Sequence, residues 1–291
     1  MRHTIYLAEA CQNTFIIVDC LQSSSLDSED VDYIHAALLE SKRDDALILI
    51  NSYKMNSSLS IEMRVLGVDK RFADFCGNGS RACAAYLYAH YPQYKQFFIR
   101  AKKKNHLLTH HGENEYSTEL PPVNFHPDPK FIAKEDAFQK DDEGYFMYFY
   151  HKKFYYTDIM EPHLILNERL SLEETYKFGA RLNQEKALFP AGINLTVFHY
   201  GLSMQHLFAV TFERGIQNLS QSCGSGACCA GAFYLKEKVG QIKVKNPGGL
   251  LTIFNYKNGI TLKGPSIITG LYQQPVRENI RLDLASSLYI A

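Results

Sequence analysis

The sequence predicts an α+β protein of two similar halves, each a strand meander, a buried helix and a second strand meander. Three observations carry this. The segment Cys76-Gly-Asn-Gly-Ser80 is echoed by Cys223-Gly-Ser-Gly-Ala227, 147 positions later (223 less 76), about half of the 291-residue chain. The match continues beyond the cysteines, with Gly77 on Gly224, Gly79 on Gly226, Ala85 on Ala232 and Tyr86 on Phe233. Around each copy lie short runs of β-branched and aromatic residues broken by Gly, Asn and Pro, which read as strands and turns.

In chain order, Ile5–Leu7 and Phe15–Val18 read as strands flanking a loop, Ala8 to Thr14, that carries Asn13. Asp27 to Ser41 places Val31, Ile34 and Leu38 on one helical face behind residues suited to an N-cap. Ala46–Ile50 reads as a buried strand, and Leu59–Val65, Gln96–Arg100, His106–Thr109 and Tyr116–Leu120 as further strands, ending at Pro121-Pro122. In the second half Tyr145–Tyr150 and Lys153–Thr157 are strand-like, and Ser171-Leu-Glu-Glu174 is a capping box opening a helix through Leu182. Ile193–Phe198, Leu207–Phe212, Ile242–Lys245, Gly249–Asn255 and Ile260–Lys263 complete the strands. The two halves divide at 1–122 and 123–270.

Lys+Arg and Asp+Glu both number 31, so the formal net charge is zero and no basic field favours nucleic acid or an anionic membrane. No apolar run approaches the roughly 18 residues that span a bilayer, and the first residues lack a signal-peptide core, so a cytoplasmic protein is expected. Seven cysteines, an odd number without paired CxxC spacing, read as reduced thiols and not as metal ligands. Cys83, Cys228 and Cys229 fall in apolar helix sequence and read as packing residues; His110-His111 reads as an exposed turn.

Each Cys-Gly-x-Gly segment starts as a turn and ends as a helix. A helix N-terminus carries about half a positive charge and unpaired amides, and glycines let an anion approach them. A thiol there is expected to have its pKa drawn down towards neutrality, and the amides of Gly77-Asn78 and Gly224-Ser225 suit a carboxylate. Two such thiols, Cys76 and Cys223, facing one ligand could exchange one proton across it.

These residues resemble the diaminopimelate epimerase family, and more broadly the cofactor-independent amino-acid racemases and epimerases. The match rests on Asp69 and Ala73 before Cys76-Gly-Asn-Gly-Ser-Arg81, and on Glu213-Arg-Gly215 before Cys223-Gly-Ser-Gly-Ala227. Pro162-His163 resembles the family's Gly-Asn-Pro-His, Phe189-Pro190 through Asn194 its Phe-Pro-x-Gly-x-Asn, and Gln12-Asn-Thr-Phe15 its Gly-Asn-Asp-Phe.

The resemblance implies two pseudo-symmetric domains, each a β-barrel-like sheet wrapped around a central helix, with residues 271–291 returning to the first domain. It implies a lysine-biosynthetic isomerase without cofactor or metal that inverts LL-diaminopimelate at one α-carbon, and a homodimer. Asn13, Asn194, Glu213 and Arg214 match substrate-binding positions, Arg214 as a bidentate clamp on a second carboxylate, and His163 a supporting one. Three features depart: Gly67 and Glu161 stand where the family carries asparagines that hold the far end of diaminopimelate, and Gly215–Ser222 is one residue longer than the family's spacing and lacks its Gly-Glu-Thr. A racemase of another amino acid, such as histidine, therefore stands beside diaminopimelate epimerase. From other classes, a thiol-disulfide redox protein and an amino-acid-binding protein are the alternatives.

Overall fold

The computed structural model describes residues 3–273 apart from 24, 74, 102–103, 202–204 and 237. The first half runs β1 (Ile5–Ala10), β2 (Asn13–Asp19), α1 (Ser28–Ser41), β3 (Asp45–Met55), β4 (Ser58–Gly67), β5 (Phe72–Ala73), α2 (Gly77–His90), β6 (Gln96–Ala101), β7 (Lys104–His110) and β8 (Glu115–Leu120). Next come β9 (Gln139–Asp141), β10 (Gly144–Phe149), β11 (Lys152–Asp158), β12 (Pro162–Asn167) and α3 (Leu172–Leu182). The second half continues with β13 (Asn194–Gly201), β14 (His206–Glu213), β15 (Asn218–Leu219), α4 (Gly224–Tyr234), β16 (Gly240–Asn246), β17 (Gly249–Tyr256), β18 (Gly259–Pro265) and β19 (Ile267–Leu271).

The topology repeats strand for strand. β1–β2 is antiparallel, β2–β3 parallel across α1, β3–β4 antiparallel, β4–β6 parallel across α2, and β6, β7 and β8 pair antiparallel in turn. β11–β12, β12–β13, β13–β14, β14–β16, β16–β17 and β17–β18 reproduce that order, with α3 and α4 in the crossovers. The result is one mixed, mostly strand structure in which β8 and β18 join the halves. β19 pairs with β1 as β10 pairs with β11. Of the 271–291 segment expected to return, residues 274–291 lie outside the described residues; the strand that does return is β19.

Sequence chemistry explains the helices. α1 and α3 open on reciprocal capping boxes, Asp27 with Asp30 and Ser171 with Glu174, and each lays one apolar face on the outside of its half. α2 and α4 are apolar nearly all round, with Ala82, Cys83, Ala84 and Leu87 in one and Ala227, Cys228, Cys229 and Ala230 in the other fully buried. A helix without a polar face has to sit inside its strands. They are the centres of the two main apolar clusters, so the packing role expected for these cysteines holds.

One expectation is corrected. The loop expected between the first strands is a two-residue turn, because Cys11 and Gln12 both adopt positive φ (54° and 63°) and let β1 and β2 run to meet it. Asn13 is thus the first residue of β2. The segment beginning Pro162-His163 opens a buried strand, Pro tolerated at its first position.

The inner face of α3 is so close to β14 that a Cβ on Gly179 would lie 2.2 Å from Cγ of Phe212. Gly179→Ala is expected to lower stability by about 1–3 kcal/mol, the usual cost of overpacking, read as a fall in the urea midpoint.

Candidate active site

Cys76 and Cys223 are the N-cap residues of α2 and α4, both in extended backbone. The Cys76 Sγ accepts from the Gly79 amide at 3.2 Å and the Cys223 Sγ from the Gly226 amide at 3.4 Å. The two helices meet end to end: a Cβ on Gly77 would lie 3.8 Å from the Gly224 Cα and 2.9 Å from Leu262, and one on Gly224 would also lie 2.9 Å from Leu262. The first amides of both helices, at Gly77-Asn78 and Gly224-Ser225, have no partner within their own helix, so two positive helix ends converge between the thiols. Cys76 is half-buried, and Cys223 is 6% exposed.

Around Cys223 the side chains form a chain. The Ser225 hydroxyl lies 3.4 Å from the Cys223 Sγ and 2.9 Å from the His163 Nε2; the His163 Nδ1 lies 2.9 Å from the Thr196 hydroxyl, which lies 2.9 Å from that of Thr211. Asn194 approaches His163 with its amide nitrogen, and its Oδ1 accepts from the Arg214 backbone N–H at 2.9 Å. His163 is fully buried, and burial followed by the Arg214 charge pushes its pKa down to about 3, so the imidazole is neutral.

Around Cys76, the Asn78 amide donates to the Ser222 carbonyl at 2.8 Å and to the Asn13 Oδ1 at 3.3 Å. Asn13 in turn donates to Asp44 at 2.9 Å. Gly67 pairs with Asp45 across β4 and β3, and a Cβ there would meet the Asp69 carboxylate at 3.0 Å and that of Asp45 at 3.8 Å.

Both thiols are held protonated, against the sequence expectation. Burial first, then the charge of Asp45, pushes the Cys76 thiol up to about 12, and the Gly79 amide only partly offsets this. Burial and the charge of Glu213 raise Cys223 well above the ordinary value. The helix end acts as foreseen on the sulfur, but dehydration and a carboxylate beside each thiol outweigh it. Those carboxylates also bind protons tightly: burial, then Asp44, Glu213 and Asp69, raises Asp45 from 3.8 to about 7, and burial raises Glu213.

The expected clamp is occupied. The Arg214 guanidinium pairs with Glu161 at 2.5 Å and reaches the Gly192 carbonyl at 3.4 Å, so Arg214 presents a neutralised pair. Hydrogen bonds link Asn13, Asn78, Glu161, His163, Asn194, Arg214 and Ser225 around the two cysteines, and Gly67 lies opposite Asp45. Sequence reasoning missed Asp45, Thr196, Thr211 and Ser222. Two acids before a buried strand were the only signal for Asp45. Among the described residues no group of three His, Cys, Asp or Glu could hold a metal ion, and no helix is long and apolar enough to cross a membrane.

Solved structures share this fold. A hydroxyproline epimerase of Agrobacterium vitis superposes with a TM-score of 0.65 at 11% identity, covering 94% of this chain and 90% of that one. A phenazine biosynthesis protein of the PhzF family from Bacillus anthracis gives 0.63 at 13% identity, covering 94% and 99%. No family model matches the chain. In sequence, the diaminopimelate epimerase of Enterococcus faecalis is 28% identical over 260 residues (82% of this chain, 78% of that protein). That of Coxiella burnetii strain Dugway is 31% identical over 221 residues (72% and 75%). The sequence relatives define an isomerase, an amino-acid epimerase or racemase. Within that class the chain belongs to the diaminopimelate epimerase family.

A carboxyl whose native pKa is raised, from 3.8 to about 7 for Asp45, gains its proton on folding between those values. Its contribution to stability is full below about pH 4 and is lost as pH rises through about 7. In Asp45→Asn the urea midpoint is therefore expected to fall less between pH 5 and 8 than in the parent protein. The same change lowers the Cys76 thiol, so iodoacetamide at pH 8 alkylates Cys76 faster than in the parent, with a smaller change at Cys223.

Proposed function

We propose that this isomerase inverts the α-carbon of an amino acid without pyridoxal, by moving one proton between Cys76 and Cys223. The observation that carries the reading is the end-to-end meeting of two cysteine-capped helices. Inversion needs a base on one face and an acid on the other, and two opposed thiols supply both. The α-carboxylate lies against the amides of Gly77-Asn78 and Gly224-Ser225, where charge released from the α-carbon is stabilised. The active pair is one thiolate and one thiol. The pair titrates as a unit, and reversing direction exchanges its roles.

The same reading divides the chain into domains 1–122, with 271–291, and 123–270, with the substrate in the cleft between them. The shared family favours diaminopimelate as substrate, held by Asn13, Asn194, Glu213 and Arg214. One observation favours a second reading, an amino acid with a cationic side chain such as histidine: Arg214 already pairs with Glu161. A second substrate carboxylate has to displace Glu161 from Arg214, whereas a cationic side chain is attracted to Glu161.

The test is incorporation of solvent deuterium at the α-position of LL-diaminopimelate, L-histidine, L-arginine, L-lysine and L-glutamate by the reduced protein. Exchange with inversion on one substrate is expected, reduced about 10²–10⁴-fold in Cys76→Ala and in Cys223→Ala, as for loss of a catalytic acid or base. Retained inversion in either variant sinks the two-thiol mechanism. Glu161→Gln frees Arg214 and is expected to raise turnover of diaminopimelate relative to histidine; an unchanged ratio counts against Glu161 as the selecting residue.

A further inference from the structure

Arg81 is a charged residue that no substrate contact above accounts for, although its charge partly lowers the Cys76 thiol. Its side chain is fully buried in the first turn of α2. Among the described residues no carboxylate lies within ion-pairing distance of it, and its Nε has no hydrogen-bond partner. Gly264 leaves it room: a Cβ there would sit 3.5 Å from the Nε. The guanidinium donates to the Asn78 Oδ1 at 2.9 Å and to the Gly77 carbonyl at 3.4 Å. A buried cation whose neighbours are an amide, a carbonyl and the Cys11, Cys76 and Cys228 thiols, with no carboxylate, is costly, and an apolar chain of similar volume would be expected to stabilise the site at least as well.

We infer that Arg81 is a positioning residue: by fixing the Asn78 amide it pins α2 to the Ser222 carbonyl, next to Cys223, and so holds the two cysteine loops in register. The inference rests on the two-thiol reading for its catalytic consequence. An amide presents its oxygen on one side and its N–H donors on the other. With Arg81 on the oxygen, the nitrogen has to face Ser222, 144 residues away in sequence, and Asn13. The flipped amide would set donor against donor at Arg81 and acceptor against acceptor at Ser222. The pin is one-sided, because the 147-residue offset puts Cys228 and Ser225 where α2 has Arg81 and Asn78.

The test compares Arg81→Met, Arg81→Lys, Asn78→Ala and the double variant Arg81→Met/Asn78→Ala. The first readout is α-deuterium exchange with LL-diaminopimelate and L-histidine; the second is backbone amide hydrogen exchange by mass spectrometry, which needs no substrate. We expect kcat to fall about 10- to 100-fold in Arg81→Met, the scale of one lost charge-assisted hydrogen bond, with KM little changed. The double variant falls no further than the worse single, and Arg81→Lys, which keeps one donor for Asn78, recovers part of the rate. Amides of 76–80 and 222–227 exchange faster in Arg81→Met and in Asn78→Ala while the rest of the chain is unchanged. Multiplying effects in the double variant, or unchanged exchange at 222–227 in Asn78→Ala, overturn the inference. A parent protein inactive on both amino acids removes the catalytic reading, and amide exchange then decides the pin by itself.

Discussion

The structure depends on an unfavourable contact. Two helix N-termini, both positive ends, are pressed together at Gly77 and Gly224 over the side chain of Leu262. Like helix ends repel, and what offsets the repulsion is the surrounding packing, with each helix buried in its own set of strands. Delivering two helices to one point from opposite sides takes two copies of the same topology, which is what the chain contains. The unspent positive potential lies where an anion can use it, and an anion bound there needs little reorganisation of its hosts.

The symmetry of the backbone is not carried into the chemistry. Cys76 has Asp45 beside it and the Asn78–Arg81 pair behind it, whereas Cys223 has Glu213 and a chain running through Ser225, His163, Thr196 and Thr211. The two thiols share a fold position but lose a proton into different surroundings. In the proposed inversion a proton moving from one to the other crosses between unlike environments, whichever face of the α-carbon it leaves.

Much of this was legible in the residues. The repeated Cys-Gly-x-Gly segments and the capping residues Asp27 and Ser171 are local signals, and local physics acts on them as read. The long-range facts left no local trace. The β8–β18 ladder and the four parallel pairings join distant segments, and Glu161 meets Arg214 across 53 residues. The direction of the thiol shifts was misread because a helix end can be seen in sequence, whereas burial and the arrival of Asp45 and Glu213 cannot. Asp45 itself follows Asp44, and an acid pair before a strand looks the same whether it is solvated or lines a cleft.

The seam between the halves is a ladder of six residue pairs, from Ile260 opposite Leu120 to Pro265 opposite Glu115, with Leu262 near its middle. A flexible tether would let the halves swing freely; a ladder resists like a torsion spring. Widening the gap between the cysteine loops has to twist these strands together, which ties the width of the gap to the pitch of the sheet. Any change in that width is then a collective adjustment of many strands and not a local one.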